Sequence, residues 1–339
     1  MNRKDQHIQK AEMFYKDTVM NDFDNIKFIH HSFPEIDYKD VDIKTSFSEF
    51  TMEQPFFINA MTGGSEATKR INEQLAIVAK NTNLAIASGS LSSALDNPEY
   101  ISSFKIIREI NKTGLVFANI DAERSVEDAK KAIDILNANA LQIHVNAPQE
   151  LIYPNGDRDF SMWLKNIEQI VKNVSIPVIV KEVGFGMSSK TVKRLIDIGV
   201  KIIDVSGRGG TNFAKIEDYT NRYYYLHDYG QTTVFSLLDN QDYIEKINFI
   251  AYGGIRNPLD VVKALALGAK AVGISGYFLH LVLKESIDKV IMEINNWKEQ
   301  IISLMTLLGK KKVSDLIKTD LVLTGELRGI FGANYLIRT

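Results

Sequence analysis

The hydrophobic positions of this chain recur as short apolar runs separated by amphipathic segments. Helical spacing of apolar residues is visible between the runs, for example at Ile71, Leu75 and Val78. Strands that alternate with helices form a parallel sheet with crossover connections, and eight of them close a (β/α)8 barrel. We therefore predict an α/β fold, a (β/α)8 TIM barrel, as a single domain over residues 1–339. The eight predicted strands are Pro55–Met61, Leu84–Ser90, Leu115–Ile120, Ala140–Asn146, Pro177–Gly184, Lys201–Gly207, Phe249–Ile255 and Ala271–Ser275.

An open doubly wound sheet is the competing architecture. Such a sheet carries a glycine-rich nucleotide fingerprint after its first strand, and NAMTGGS at residues 59–65 does not fit G-x-G-x-x-G. The barrel is therefore the preferred prediction.

Three segments lie outside the repeat of strand and helix. Residues 1–54 form an N-terminal extension, with a helix predicted at Asn2–Asp17 and a strand pair at Ile43–Met52. After the eighth strand we expect a long helical tail, Tyr277 to about Leu308. The connection after strand six is unusually long, and its tyrosines favour an ordered lid or a subunit contact over disorder. This lid-like loop is predicted at 208–233, and its tyrosines are Tyr219, Tyr223, Tyr224, Tyr225 and Tyr229.

Composition changes this picture little, because 45% hydrophobic and 24% charged residues are typical of a globular protein. A net charge of -2 gives no electrostatic case for nucleic-acid binding. The absence of cysteine excludes disulfides, thiolate catalysis and cysteine-ligated metals. The start of the chain lacks the apolar core of a signal peptide, and no apolar run reaches the ~20 residues of a membrane span. We therefore expect a cytoplasmic protein that binds neither nucleic acid nor membrane.

The stretch ALQIHVNAPQE at residues 140–150 has a strand pattern whose second face becomes polar. His144 and Asn146 lie on that face, and Gln149 and Glu150 follow Pro148 directly. Groups that can hydrogen-bond or bind metal therefore gather at the end of the fourth strand, where barrels place their active sites. The alternative is that these residues only satisfy one another in a solvated loop.

Two glycines that close the seventh strand predict a phosphate site. Gly253 and Gly254 leave backbone amides uncovered, and Asn257 and Pro258 are good N-cap and N1 residues for the next helix. Barrels commonly bind phosphate with the loops after strands seven and eight, and Arg256 could add a charged partner. The alternative is an ordinary glycine turn.

Other strand ends are rich in small or polar residues, which would let a flat ligand such as a flavin ring lie against the backbone. Lys181 ends an apolar run, where a charge is costly unless it faces a partner. It is predicted either to pair with Glu182 or another carboxylate, or to lie beside an anionic cofactor ring or form a Schiff base. His144 alone would more often be a satisfied barrel histidine than a catalyst.

Six motifs, in order along the chain, resemble type 2 isopentenyl-diphosphate isomerases, the FMN-dependent family. Arg3, Lys4 and His7 at the start of the chain extend the resemblance. The six motifs are INAMTGGS (58–65), ASGS (87–90), LQIHVNAPQE (141–150), VIVKEVGFGMS (178–188), DVSGRGGTNF (204–213) and YGGIRNPLDVVKALALGAKAVGIS (252–275).

The resemblance implies a reaction, a 1,3-proton shift that converts isopentenyl diphosphate into dimethylallyl diphosphate. It also implies FMN in its reduced form, NAD(P)H as the reductant of the flavin, Mg2+, and assembly as a tetramer or octamer. A single carboxylate with a diphosphate and waters suits Mg2+, which seldom uses an all-protein cage.

Residue roles follow from the resemblance by position. For FMN it implies Ala60, Met61, Thr62, Ser90, Asn119, Lys181, Ser206, Thr211, Gly253, Gly254, Ile255, Arg256, Ser275 and Gly276. For the substrate it implies Arg3, Lys4, Ser90, Ser92 and Gln149; for catalysis it implies Gln149, His144 and Asn146, and for the metal Glu150. Many relatives have a polar or basic residue directly after the ASGS motif, where this chain has Leu91.

The acid or base of the reaction is left open between Gln149 and the flavin. A neutral amide is a weak acid near pH 7, so we favour the reduced flavin, with Gln149 positioning or relaying the proton. The main alternative function is an FMN-dependent 2-hydroxy-acid oxidase or dehydrogenase on the same barrel, but no histidine lies beside strand seven as such an enzyme needs. A non-catalytic flavin- or phosphate-binding barrel is a third possibility, which would need neither Glu150 nor a basic N-terminus.

Overall fold

A computed structural model describes residues 3–16 and 20–332. Eight parallel strands form a closed barrel in which each strand pairs with the next along the chain and the last pairs with the first, which confirms the predicted fold. Two short antiparallel sheets accompany it, β1 with β12 and β2 with β3. The strands are β1 Ile26–Phe28, β2 Thr45–Phe47, β3 Phe50–Met52, β4 Phe56–Ile58, β5 Ile86–Ala87, β6 Val116–Asp121, β7 Ala140–His144, β8 Val178–Lys181, β9 Ile202–Asp204, β10 Asn248–Tyr252, β11 Ala269–Ile274 and β12 Leu321–Leu323.

Helices follow the barrel strands and cover the outside of the barrel. Their apolar faces and the outer faces of the strands form one large buried cluster. The helices are α1 Arg3–Phe14, α2 Glu66–Thr82, α3 Ser92–Asp96, α4 Ile101–Ile110, α5 Val126–Leu136, α6 Ala147–Ile152, α7 Trp163–Asn173, α8 Ser189–Asp197, α9 Phe213–Glu217, α10 Thr233–Asp239, α11 Pro258–Ala266, α12 Gly276–Lys284, α13 Ile287–Leu307 and α14 Gly325–Phe331.

The helical tail predicted after the eighth strand, Tyr277 to about Leu308, is present and consists of two helices. The segment is divided into α12 and α13, and the backbone is extended at Glu285 and Ser286. The Ser286 side chain accepts a hydrogen bond from the Lys289 amide, so it caps a new helix. The predicted N-terminal helix is present as α1, and its predicted final residue, Asp17, lies outside the described residues.

The inside of the barrel is filled from one end by the β2–β3 hairpin. Phe47 and Phe50 of the hairpin join a second buried cluster with Phe57 and Phe117 of the barrel strands. The rings of Phe50 and Phe117 are 5.5 Å apart, and those of Phe57 and Phe117 are 5.8 Å apart. The predicted strand pair in the N-terminal extension is therefore real, and it leaves the opposite end of the barrel for ligands.

Strand register places four ionisable residues side by side at the carboxyl ends of neighbouring strands. Asp121 pairs with His144, His144 with Lys181, and Lys181 with Asp204. The predicted strands contained His144, Lys181 and Asp204, whereas Asp121 lies one residue beyond the predicted strand Leu115–Ile120. Only the parallel register makes the four residues neighbours. No helix of the described residues is long and apolar enough to cross a membrane.

Candidate active site

A cavity of about 250 Å³ opens at the carboxyl ends of β9, β10 and β11. Gly253 and Gly254 line it with positive φ angles of 99° and 79°, a backbone conformation that favours glycine. A Cβ atom on Gly253 would lie 2.1 Å from the Gly207 carbonyl oxygen. We call Gly253–Ile255 and Ser275–Gly276 the phosphate cradle, because both segments expose backbone where the sequence predicted a phosphate.

The cradle continues into a smaller cavity over the barrel centre. Ala60, Met61 and Thr62 line that second cavity, and Thr211 lines both. The α1 residues Lys4 and His7 also line it, so the N-terminal helix lies across the opening. The two cavities therefore form one cleft that brings the predicted flavin residues next to the predicted substrate residues.

Three buried hydroxyl groups beside this cleft lack hydrogen-bond partners within the described residues. They belong to Thr62, Ser88 and Ser206, and Ser206 has a positive φ of 36°, a conformation that is uncommon for serine. Unpaired buried hydroxyls beside a glycine-lined cradle fit a flat, polar-edged, phosphorylated ligand such as FMN.

Lys181 is buried beneath this cleft, near the carboxyl groups of Asp204 and Glu182. Its Nζ donates to the Glu182 carbonyl oxygen at 3.0 Å and lies 5.0 Å from the centre of the Tyr252 ring. Burial lowers the pKa of Lys181, raises the pKa of Glu182 to about 8 and raises the pKa of Asp204 to about 6. The Glu182 carboxyl accepts from the amides of Val183 and Phe185 rather than from Lys181.

Asp204 belongs to a hydrogen-bond chain across the barrel interior. Asn59 Nδ2 donates to Asp204 at 2.9 Å, and Gln142 Nε2 donates to Asn59 Oδ1 at 2.9 Å. The chain fixes polar side chains of β7, β9 and the turn after β4 below the cleft, where unpaired groups would be costly.

His144 is held as a neutral imidazole. Its Nδ1 lies 3.0 Å from Asn119 Oδ1, so that nitrogen donates to the amide oxygen. Burial lowers the pKa of His144 to about 4, an effect that exceeds the opposing attraction of Asp121. His144 and Asn119, which were predicted for different ligands, are therefore direct neighbours.

The strand at residues 140–150 ends earlier than predicted, at His144, and a short helix follows it. Asn146 precedes α6 and Pro148 occupies its first turn, so Gln149 and Glu150 lie on a helix rather than in a loop. Asn146 Nδ2 donates to Glu150 Oε1 at 2.9 Å and to Gln149 Oε1 at 3.3 Å. The amide of Asp157 also donates to Glu150, at 3.3 Å.

Sequence reasoning missed Glu217, which lies at the end of α9 within the loop at 208–233. Its side chain is fully buried, and Oε1 accepts from Arg3 at 2.8 Å and from Gln149 Nε2 at 2.9 Å. His7 Nε2 lies 2.9 Å from the same oxygen. We call Arg3, His7, Gln149 and Glu217 the arm cluster.

Burial alone would raise the pKa of Glu217, but the contacts from His7 and Arg3 outweigh it and lower the pKa to about 2. Glu217 is therefore a carboxylate at neutral pH. Burial lowers the pKa of His7, so its imidazole is neutral there. Arg3 also stacks on Tyr153, with 3.7 Å between its guanidinium carbon and the ring centre.

Two predicted residues have protein partners that were not foreseen. Ser90 donates to Ser92 Oγ at 3.0 Å, and Leu91 between them is fully buried. The Arg256 backbone lines the cradle, but its guanidinium pairs with Asp24 and Asp260. The charged partner for phosphate that the sequence suggested is thus engaged with two carboxylates.

Comparison with known proteins identifies the family. The model of the family "FMN-dependent dehydrogenase" matches residues 111–323. Isopentenyl-diphosphate delta-isomerase of Staphylococcus saprophyticus is 47% identical over 329 residues, 96% of this chain and 94% of that protein. The enzyme of the same name from Latilactobacillus sakei is 47% identical over 99% of this chain and 97% of its own length.

The chain belongs to the isopentenyl-diphosphate delta-isomerase family. This confirms the resemblance drawn from the six motifs, and the match to the FMN-dependent dehydrogenases identifies the isomerase family as the FMN-dependent, type 2 one. A mandelate oxidase variant with an FMN adduct shares the fold, with a TM-score of 0.67 at 17% identity over 94% of this chain and 92% of that one. A flavocytochrome b2 variant gives 0.68 at 22% identity over 91% and 81%.

Proposed function

We propose that this protein converts isopentenyl diphosphate into dimethylallyl diphosphate with reduced FMN and Mg2+. The observation that carries the proposal is the meeting of the phosphate cradle and the arm cluster in one cleft. Lys4 and His7 of α1 line the same cavity as Met61 and Tyr252, so a ligand on the flavin side also contacts the N-terminal helix. An isoprenoid diphosphate, with an apolar chain and a charged end, needs this combination of an apolar surface and nearby cations.

FMN would be held by the cradle, by the hydroxyls of Thr62 and Ser206, and by Lys181. When bound, reduced FMN would supply an electron-rich ring able to exchange a proton with the substrate. Lys181 is buried, so its charge acts through a medium of low polarity and stabilises a neighbouring anion more strongly than it would in water.

Gln149, oriented by Glu217, would position or relay the proton on the other side of the substrate. Gln149 donates its Nε2 hydrogen to the Glu217 carboxylate, which fixes the direction of the amide. The amide is a weak acid and Glu217, with a pKa of about 2, is a weak base, so the carboxylate orients Gln149 rather than taking its proton. Gln149 therefore positions or relays, and it does not act as an isolated acid.

Glu150 would bind Mg2+ together with the substrate diphosphate and waters. Asn146 and the Asp157 amide orient its carboxylate, and outer partners of this kind are typical of metal ligands. The described residues contain no group of three or more acidic or histidine side chains placed for a metal, which suits an ion that uses one carboxylate and substrate oxygens.

The remaining proposals concern the setting of the reaction. NAD(P)H would reduce the flavin, the product would enter isoprenoid synthesis, and the protein would act in the cytoplasm as a tetramer or octamer. Tyr224, Tyr225 and Tyr229 are well exposed and are available for a lid or a subunit contact.

The decisive experiment uses purified protein with FMN, reduced without oxygen, and follows isopentenyl diphosphate with Mg2+ by NMR. We expect the dimethylallyl product only when the flavin is reduced. Absence of that product, with lactate-type substrates bleaching the oxidised flavin, would favour the 2-hydroxy-acid oxidase. The solved oxidases share only the fold at this level of identity, and no histidine lies in the turn between β10 and α11, where the oxidase reaction needs one.

A further inference from the structure

Residues 21–24 bind the outer side of the phosphate cradle. Asn21 caps the short 3-10 helix Asp22–Asn25, because its side chain accepts from the Phe23 amide at 2.9 Å. The same side chain donates through Nδ2 to the Gly254 carbonyl oxygen at 2.8 Å. One residue thus joins the N-terminal extension to the turn that lines the cavity.

The Asn21 bond determines which way a cradle amide points. A peptide unit is planar and trans, so the Gly254 carbonyl and the Ile255 N–H point in opposite directions. Holding the carbonyl oxygen on Asn21 therefore fixes the Ile255 N–H. The amides of Gly254 and Ile255 have no acceptor in the hydrogen-bond network of residues 3–16 and 20–332.

Arg256, the residue after Ile255, is held by ion pairs with Asp24 and Asp260. Asp24 accepts from Arg256 Nη1 and Nη2 at 2.9 Å each, and Arg256 Nε donates to Asp260 at 2.8 Å. The Arg256 amide donates to Asp260 as well, at 3.1 Å. This amide is therefore satisfied by the protein, and the Arg256 side chain anchors the turn.

Two further bonds attach the same segment to the elements around the cradle. Lys263 of α11, which is 5% exposed, donates its Nζ hydrogen to the Phe23 carbonyl oxygen at 2.7 Å. Thr232, the N-cap of α10, donates its hydroxyl to Asp22. Residues 21–24 thus contact α10, α11 and the turn between β10 and α11.

We propose that Asn21 and Asp24 are positioning residues for the cofactor phosphate, acting through Gly254 and Arg256. The inference rests on the proposed function, because it needs FMN in the cleft. Neither side chain lines the cavity, so their effect on affinity is indirect. A preorganised cradle binds more tightly because fewer backbone arrangements are lost on binding.

The test compares FMN with riboflavin, which lacks the phosphate, in titrations of the apo-protein followed by flavin fluorescence. Asn21→Ser keeps a good N-cap but removes the donor to Gly254. We expect its Kd for FMN to rise about fivefold, the loss of one ordinary hydrogen bond. Asp24→Asn, which loses a charge-assisted pair, should raise the Kd roughly tenfold or more. Riboflavin affinity should stay within about twofold for both variants.

Asp37→Ser is the matched control, because Asp37 caps the 3-10 helix Tyr38–Asp40 in the same way without touching the cradle. Circular dichroism of each apo-protein checks that the fold is retained. Equal losses for FMN and riboflavin, or unchanged FMN binding in both variants, would overturn the inference while leaving the proposed function intact. If the parent chain bound no FMN, the proposed function would fail and the inference with it.

Discussion

The phosphate cradle and the arm cluster, on two sides of one cleft, are built in opposite ways. The cradle offers backbone, and its residues are close in sequence to the strands that carry them, as at Gly253 after β10 and Ser275 after β11. The arm cluster offers side chains from three distant segments, and its two charged members, Arg3 and Glu217, are 214 positions apart. The cradle is thus fixed by local chain geometry, and the arm cluster by packing.

This difference indicates how each side would respond to change. The cradle depends on the φ angles of its glycines and on the free space around them, so few side chains can replace those glycines. Its shape does not depend on charged groups. A cluster of charges depends on mutual compensation, because one buried charge without its partners is costly. Mutations should therefore separate cofactor binding from turnover.

The largest effect is expected for Glu217→Gln. The variant keeps the shape of the side chain but removes the carboxylate that holds Arg3 and Gln149. Turnover of isopentenyl diphosphate should fall by about 10²-fold, the loss expected when reacting groups are misplaced by about 1 Å. The FMN dissociation constant should not change. Glu127→Gln on the exposed side of α5 is the control, and a turnover close to that of the parent for Glu217→Gln would refute the role of the arm cluster.

Gly253→Ala tests the cradle side. The new methyl group would overlap the Gly207 carbonyl oxygen and force alanine into a left-handed conformation. We expect a loss of about 3 kcal/mol in the free energy of unfolding together with weaker FMN binding. Gly329→Ala is the matched control, because its Cβ would meet nothing within 4 Å and α14 would gain a better helix former. Unchanged FMN affinity in Gly253→Ala would place the phosphate elsewhere.

The buried carboxyl groups of Glu182 and Asp204 belong to neither the cradle nor the arm cluster. They predict that the free energy of unfolding depends on pH. Burial raises the pKa of Glu182 from 4.5 to about 8, so the protonated form stabilises the fold and this stabilisation is lost as the pH rises through 8. The free energy of unfolding of the apo-protein should fall by about 1 kcal/mol between pH 6.5 and 8, and Glu182→Gln should reduce that slope. Comparison with Glu182→Gln removes the contributions of Asp204, with a folded-state pKa of about 6, and of His144, near 4, because both groups are unchanged in the variant. Chemical denaturation at several pH values measures the slope, and an identical slope in the variant would contradict the assignment.

The smallest effect is expected for the tyrosines of the loop at 208–233. Tyr224 is 65% exposed, so Tyr224→Ser should change the free energy of unfolding by less than about 0.5 kcal/mol. If the loop contacts another subunit, the variant should dissociate at higher protein concentration in sedimentation experiments. If assembly is unchanged, the loop is better explained as a lid. The variant should then show a changed KM for isopentenyl diphosphate, because the lid closes over the substrate.

Most of the barrel could be predicted because each strand carries its own apolar run and each turn its own glycine or cap. Asn257 and Pro258 begin α11 as expected, and Asn257 accepts from the Asp260 amide. The break between α12 and α13 was missed because the apolar pattern continues through it, and only Ser286 signals the new start. The ion pairs of Arg256 with Asp24 and Asp260 were not foreseen, because a basic residue beside a glycine turn looks the same in the sequence whether or not carboxylates already hold it.

The sequence alone determined the eight strands, the family, the glycine turns of the cradle and the candidate groups at strand ends, since all of these are local patterns along the chain. Tertiary structure alone decided that Glu217 meets Arg3 and Gln149, and that Asn21 holds Gly254. The physical reason is the distance along the chain over which each kind of interaction acts. Backbone preferences act over a few residues, whereas a hydrogen bond or ion pair between distant residues exists only after the barrel has closed and the N-terminal segments have packed against it.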